Sequence, residues 1–221
     1  MLSQPRALLL TGTGRYSDPW HPFPETSRRI AAVLVASRYQ VEAPDDVDVA
    51  LASGSLPDLL VVNVGLPRDG ERSPSDAAAA GLDAYLLSGR PLLAFHASAT
   101  SFLDSPLWES ALGGRWVRGT SMHPDQGNAR VHLRPHIVTE GLEDFALIDE
   151  RYSFLRVSPK LAVIATHNHA GMEHPLVWLR EGDGELGRAA YDALGHDTHS
   201  FDSATHLALL HRIIAWLTSN T

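Results

Sequence analysis

Twelve histidines and not one cysteine occur in this chain. The histidines are therefore the residues to explain, while disulfides, thiolate metal sites and thiol nucleophiles are excluded. The most suggestive histidine is His96, in RPLLAFHASATSF (residues 90–102), where an apolar run breaks abruptly into small residues. In many α/β enzymes such a strand-to-helix junction presents the nucleophile. Here it presents a ring whose ordinary pKa, about 6.5, suits a general acid or base, or one that is simply hydrogen-bonded in place to hold the turn. Ser98 is close by, but AFHASA lacks the flanking glycines of a G-x-S-x-G elbow, so a serine nucleophile is not expected.

Three further stretches concentrate reactive side chains. IDERYSF (148–154) sets Asp149, Glu150, Arg151 and Tyr152 between apolar neighbours. A carboxylate there can orient or deprotonate a substrate hydroxyl, or pair with the arginine on a solvated face. GHDTHSFDSATH (195–206) gathers His196, Asp197 and His199, and Asp197 can steady an imidazole or cap a turn. THNHAGMEHP (166–175) carries His167 and His169, which share a face if extended, with Glu173 and His174 close behind. That spacing permits zinc or manganese but supplies no clear third ligand, so no metal is assigned. The loop at 12–23 adds Arg15, Tyr16, Asp18, Trp20 and His21, a binding-type set for a strand-to-helix connection. Its GTGRYS is not a dinucleotide fingerprint, because Ser17 holds the third glycine position.

The elements that must position these residues read as a β–α alternation. RALLLT (6–11), DLLVVNVGL (58–66) and PLLAF (91–95) are near-continuous apolar runs, the pattern of strands covered on both faces. Gln40–Glu42 is a shorter strand. Helices are expected from Pro24 to about Ser37, across SPSDAAAAGLDAYLLSGR, and over Asp202–Ser219, where Leu207, Leu210, Ile213, Ile214 and Leu217 share a face. NARVHLR alternates as a more exposed strand, and IVTEGLEDF reads as a turn leading into a short helix. LAVIATH, HPLVWLRE and GRAAYDAL follow as strands, two of them a hairpin. The expectation is one α/β domain over residues 1–221 with a mostly parallel, doubly wound sheet, whose ligands bind beyond the carboxyl ends of its strands.

Composition narrows the partners. With 44% hydrophobic and 20% charged residues the profile is that of an ordinary globular protein. A net charge of −8 and a pI near 5.8 provide no basic field for phosphate backbones, so nucleic acid is not an expected partner. No apolar run reaches membrane-spanning length and the start lacks a signal-peptide pattern, so no membrane partner and a cytoplasmic location are expected.

GRPLLAFHASATSF, GGRWVRGTSMHP, IDERYS, HPLVW with its following glycine-rich turn and GR, and YDALGHDTHSFDS together resemble the ThuA-like (trehalose-utilisation) family. The resemblance runs from TGTGRYSDPWHPF to the last helix. It implies a flavodoxin-like, glutamine amidotransferase-like fold. The amidotransferase elbow carries cysteine in G-x-C-x-G; His96 stands at the corresponding turn here, so glutamine hydrolysis by a thiolate is excluded. GHDTHS likewise resembles the amidotransferase histidine-proline-glutamate segment, with His196 kept and Pro-Glu lost.

What the resemblance implies for function is carbohydrate metabolism, in the use of trehalose or related disaccharides and keto-sugars. A small-molecule sugar is the expected partner, with a homodimer possible on symmetry grounds and no cofactor assigned. The leading expectation is an acid–base enzyme, with or without a metal, in which His96, Glu150 and His196 are catalytic. Arg15, Tyr16, Asp18, Trp20, His21, His123, Tyr152 and Asp197 would bind the sugar, Trp20 and Tyr16 by stacking and the carboxylates as acceptors. The alternative is a catalytically silent sugar- or partner-binding module on the same fold.

Overall fold

The structure, a computed structural model, describes residues 4–219. In chain order its elements are β1 (Arg6–Thr11), α1 (Phe23–Ala36), β2 (Gln40–Glu42), α2 (Val47–Ala52), β3 (Leu59–Asn63), α3 (Asp76–Leu86), β4 (Leu92–Phe95), α4 (Pro106–Leu112), β5 (Gly114–Arg115), β6 (Gly127–Leu133), β7 (Phe145–Asp149), β8 (Arg156–Val157), β9 (Ala162–His169), β10 (Met172–Arg180), β11 (Ala189–Asp192) and α5 (Ala204–Thr218). Short 3-10 turns occupy Gly14–Tyr16, His96–Thr100 and Thr198–Asp202.

Nine strands form one mixed sheet in the order β2-β1-β3-β4-β11-β10-β9-β6-β7. The first five pair in parallel and the rest antiparallel, so a parallel core carries an antiparallel extension. The four strands inside the parallel block are buried almost throughout, as their unbroken apolar runs require when helices cover both faces. Each fully buried Leu or Val in them contributes roughly 1.5–3 kcal/mol relative to exposure. α1 buries Ile30, Val33 and Leu34 with Pro24 in its first turn, and α5 buries Leu209, Leu210, Ile213, Ile214 and Leu217.

β9 and β10 form the expected hairpin, closed by Ala170 and Gly171 at φ 51° and 75°, the positive values a two-residue turn of matching twist needs. The expected short helix near Glu143 is absent: Phe145–Asp149 is instead strand β7, alternating buried and exposed against β6. The acidic Glu140–Asp144 run has too few apolar residues at helical spacing to bury a helix face, whereas Phe145 and Leu147 alternate with period two. Among the described residues no helix is long and apolar enough to cross a membrane.

β7 is the edge strand of that order, yet its carboxyl end is tied back to a distant loop. Asp149 at its end accepts hydrogen bonds from the Gly195 and His196 amides and from Ser200 Oγ. The antiparallel extension thus returns to the loop that follows β11, beside the carboxyl end of the parallel core.

Candidate functional site

His96 follows β4 directly, buried to 1% exposure and held at φ 40°. Left-handed backbone is costly for a residue with a Cβ, and such conformers concentrate where a side chain must be aimed. Here the turn aims the imidazole across the sheet edge. Its Nδ1 donates to the Ala193 carbonyl at 2.6 Å, leaving Nε2 facing inward. The Tyr191 hydroxyl donates to the His96 carbonyl at 2.7 Å and fixes the turn from below.

Glu150 comes next after β7. Its Oε2 lies 3.3 Å from His96 Nε2 and 3.3 Å from His196 Nδ1, and its Oε1 lies 3.4 Å from His123 Nδ1. The fourth member, His21, comes from the loop after β1, its ring centroid 5.1 Å from that of His96 and 5.0 Å from that of His196. His21 Nδ1 lies 2.8 Å from both oxygens of Asp18, which also accepts from the amides of Trp20 and His21. One ligating atom from each of His21, His96, Glu150 and His196 falls within 4.8 Å of all the others.

Burial alone would raise the Glu150 pKa, but His196 and His96 outweigh it and hold the carboxyl far below its ordinary range. Burial works against a charged His196, yet Glu150 and Asp149 carry its pKa above the usual value. For His21 burial wins over Asp18 and lowers the pKa, favouring a neutral ring. Tyr152 is fully buried, 4.3 Å from the His96 ring between ring centroids. Burial, with Tyr191 and the nearby carboxylates, raises its hydroxyl well above the ordinary value and keeps it protonated.

Asp149 was not singled out from the sequence as a site residue, yet it builds the site. Four donors converge on its buried carboxylate: the amides of Glu150, Gly195 and His196 and the hydroxyl of Ser200, at 2.6 to 3.2 Å. It thereby fixes Glu150 and His196 relative to each other. Only its position beside Glu150 hinted at this, since a residue at a strand's end is well placed to hold a loop.

The expected sugar-binding residues divide. His21 sits in the centre of the cluster rather than at its rim. His123 stacks on Tyr152 at 5.6 Å and is the most exposed ring of the group, with Trp116 packed edge-on against Tyr152. Asp18 is occupied in orienting His21. Asp197 caps the 198–202 turn through the His199 amide and accepts from Gln126, as the turn reading allowed.

Arg15 and Tyr16 are not placed to bind a ligand at this site. Arg15 is spent on Asp48, Asp69 and the Arg72 carbonyl, which ties the first loop to the loop after β3. Tyr16 is 1% exposed, with its hydroxyl on Asp48 and its ring edge-on to Phe102, so it cannot stack on a sugar. Trp20 is exposed, with Arg68 over its ring at 4.3 Å. Ser98 is fully buried and bonded to the main chain of Val62 and Val64.

The other histidine group does not converge on a common point. His167 Nε2 is taken up by the Tyr152 carbonyl, and His174 Nδ1 by the Phe154 amide. Glu173 points to the opposite face of β10, onto Thr166 and Arg134, as strand alternation requires. Among the described residues the one group with metal-like convergence is instead that of His21, His96, Glu150 and His196.

The fold finds counterparts among known proteins. A ThuA-like protein from Parabacteroides merdae superposes with a TM-score of 0.77 at 19% identity, covering 99% of this chain and 93% of that one. A ThuA-like protein from Bacteroides uniformis gives 0.76 at 16% identity, covering 100% and 94%. A GMP synthase protein from Thermoplasma acidophilum gives 0.53 at 12% identity, covering 97% and 100%, a likeness of fold alone. No curated protein matches the sequence. The family model ThuA, described as trehalose utilisation, matches residues 6–217, and the chain belongs to that family.

Proposed function

We propose that this chain is an enzyme of carbohydrate utilisation that works on a sugar or keto-sugar by proton transfer at the Glu150 cluster. The observation that carries this reading is the convergence of one carboxylate and three imidazole nitrogens within 3.4 Å of it, at the carboxyl edge of the parallel strands. Glu150 is kept anionic and His196 is favoured in its charged form, so near neutral pH an acid stands beside a carboxylate that orients and stabilises it. His96 and His196 are the proton-transfer groups, and Glu150 orients them or acts as base. His123, exposed and facing Glu150 Oε1, is placed to exchange protons with solvent. The family's association with trehalose use supplies the substrate class, and a cytoplasmic setting belongs to the same reading.

The test is product analysis by NMR on trehalose, related disaccharides and their keto derivatives, with the wild-type chain and with His96→Asn. Asparagine tolerates the left-handed backbone at this turn, so the variant should fold. Turnover that falls by about 10²–10⁴ in the variant supports the reading. Unchanged turnover in a folded variant, or tight sugar binding by the wild type without conversion, overturns it, and the latter identifies a binding module.

A further inference from the structure

The four central groups lack a partner that their chemistry demands. His21 Nε2, His96 Nε2, His196 Nδ1 and Glu150 Oε2 are all buried and none makes a hydrogen bond. Buried polar atoms are ordinarily paired, and four orphans facing one point are not an accident of packing. The other nitrogens decide what the orphans are. His96 Nδ1 must donate, because the Ala193 carbonyl can only accept, and His21 Nδ1 must donate to the Asp18 carboxylate. In the neutral rings of His96 and His21 the inward nitrogens therefore present lone pairs, toward each other and toward a carboxylate, and a bound ion would displace the proton that otherwise favours the charged form of His196. Lone pairs gathered around an anion call for a cation between them.

We infer that His21 Nε2, His96 Nε2, His196 Nδ1 and Glu150 Oε2 form a binding site for one divalent transition-metal ion. The 3.3 Å separations from Glu150 Oε2 to His96 and His196 match the edge of a tetrahedron of donors about 2.0–2.1 Å from a common centre. The widest separations, up to 4.8 Å, close by less than about 1 Å per ring on loading. Three imidazoles and one carboxylate suit zinc, iron(II), cobalt(II) or manganese(II), whereas calcium and magnesium favour all-oxygen sets. The supports behind the rings are those that metal-binding histidines use, with Asp18 behind His21 and a main-chain carbonyl behind His96. With an ion in place the inner rings would serve as ligands, leaving Glu150 Oε1 and His123 as the groups free to hold or exchange protons.

The inference rests on the proposed reading only for which pocket matters, and its test separates the two. The full chain, stripped with chelator, is titrated with Zn2+ alone by calorimetry and with Co2+ alone by visible absorption, and stoichiometry is read by native mass spectrometry. One ion per chain is expected, with a cobalt spectrum of nitrogen and oxygen ligation. His21→Gln and Glu150→Gln, each checked for folding by circular dichroism, should weaken Zn2+ by more than tenfold. Asp18→Asn should weaken it by about 10- to 100-fold without removing a ligand, and His169→Gln should leave it unchanged. No uptake by the wild-type chain, undiminished affinity in both His21→Gln and Glu150→Gln, or loss of binding in His169→Gln overturns the inference. A chain that loads one ion but converts no sugar keeps the metal site and defeats the sugar reading. One that converts sugar without taking up an ion does the reverse.

Discussion

Asp149→Asn is the most instructive single change, because it alters one buried carboxylate and almost no volume. In the native chain Oδ1 accepts from the Glu150 and His196 amides, and Oδ2 from the Gly195 amide and Ser200 Oγ. Asparagine keeps the first pair if its carbonyl takes the Oδ1 place, and sets an NH2 group where Oδ2 stood. The Ser200 hydroxyl can rotate to accept from that NH2, but the Gly195 amide cannot, so one buried donor faces another. An orphaned buried donor costs about 1–3 kcal/mol, and losing the charge weakens the bonds that remain. Against this, the anion is expensive to bury: burial pushes the Asp149 pKa up despite the His96, Ser200, Gly195 and His196 contributions that oppose it. Removing the charge recovers part of that expense, leaving a net loss of about 2 kcal/mol. For a chain of this length that is a fall in Tm of about 4–8 °C. Melting curves and urea unfolding of the chelator-treated chain measure it, and Zn2+ affinity should fall as well because the His196 loop loosens. A midpoint within about 0.5 kcal/mol of wild type, with affinity intact, would refute the claim that Asp149 holds the site together.

Two further changes probe the supports. A Cβ at Gly65 would lie 2.8 Å from the Tyr16 carbonyl and 3.0 Å from Asp18 Oδ2, so Gly65→Ala should shift the loop bearing Asp18 and His21; Zn2+ affinity and turnover should fall while the far-UV spectrum is kept. The buried His206 donates to the Ser200 carbonyl through Nδ1 and to Asp192 through Nε2, both at 2.7 Å, so the ring is held as a cation. Burial opposes that charge, but Asp192 prevails and raises the pKa. The stability contributed is therefore complete below about pH 6.5 and is lost as pH rises through the raised folded value. A Tm that declines on the alkaline side in wild type and less steeply in His206→Gln is the expected result, to be read from melts between acid and alkaline pH.

How far the sequence announces this protein depends on range. Local patterns were legible: β1 over Arg6–Thr11, a hairpin among the late strands, though not its turn at Ala170–Gly171, and α5 with Ile213 and Ile214 inward all follow from periodicity. His96 was legible as a special residue because an apolar run ends on it. The sheet's second half was less so, since four antiparallel strands follow the parallel block and Phe145–Asp149 hides its alternation behind an acidic run. His21 and Tyr16 are five residues apart on one loop with similar prospects in sequence, yet one ring enters the cluster and the other enters the core. Their fates separate because Asp18 seizes the first and Asp48 the second, contacts that only the folded chain brings about. The histidines at 167 and 169 mislead for the converse reason: good ligand spacing in sequence, but His167 Nε2 is drawn to the Tyr152 carbonyl, and His169 meets the neighbouring His174 only through its main-chain carbonyl.

The return of β7 to the carboxyl edge means that no partial length of chain stopping before His196 can assemble the quartet. Segments from the first tenth of the protein and from its last sixth meet there, so an ion seated among them would act as a staple across nearly the whole length. At a hundred times its Kd such an ion adds about 2.7 kcal/mol to the folded state. Metal supply would then set the lifetime of the protein as well as its activity, with unloaded copies the first to unravel and be degraded.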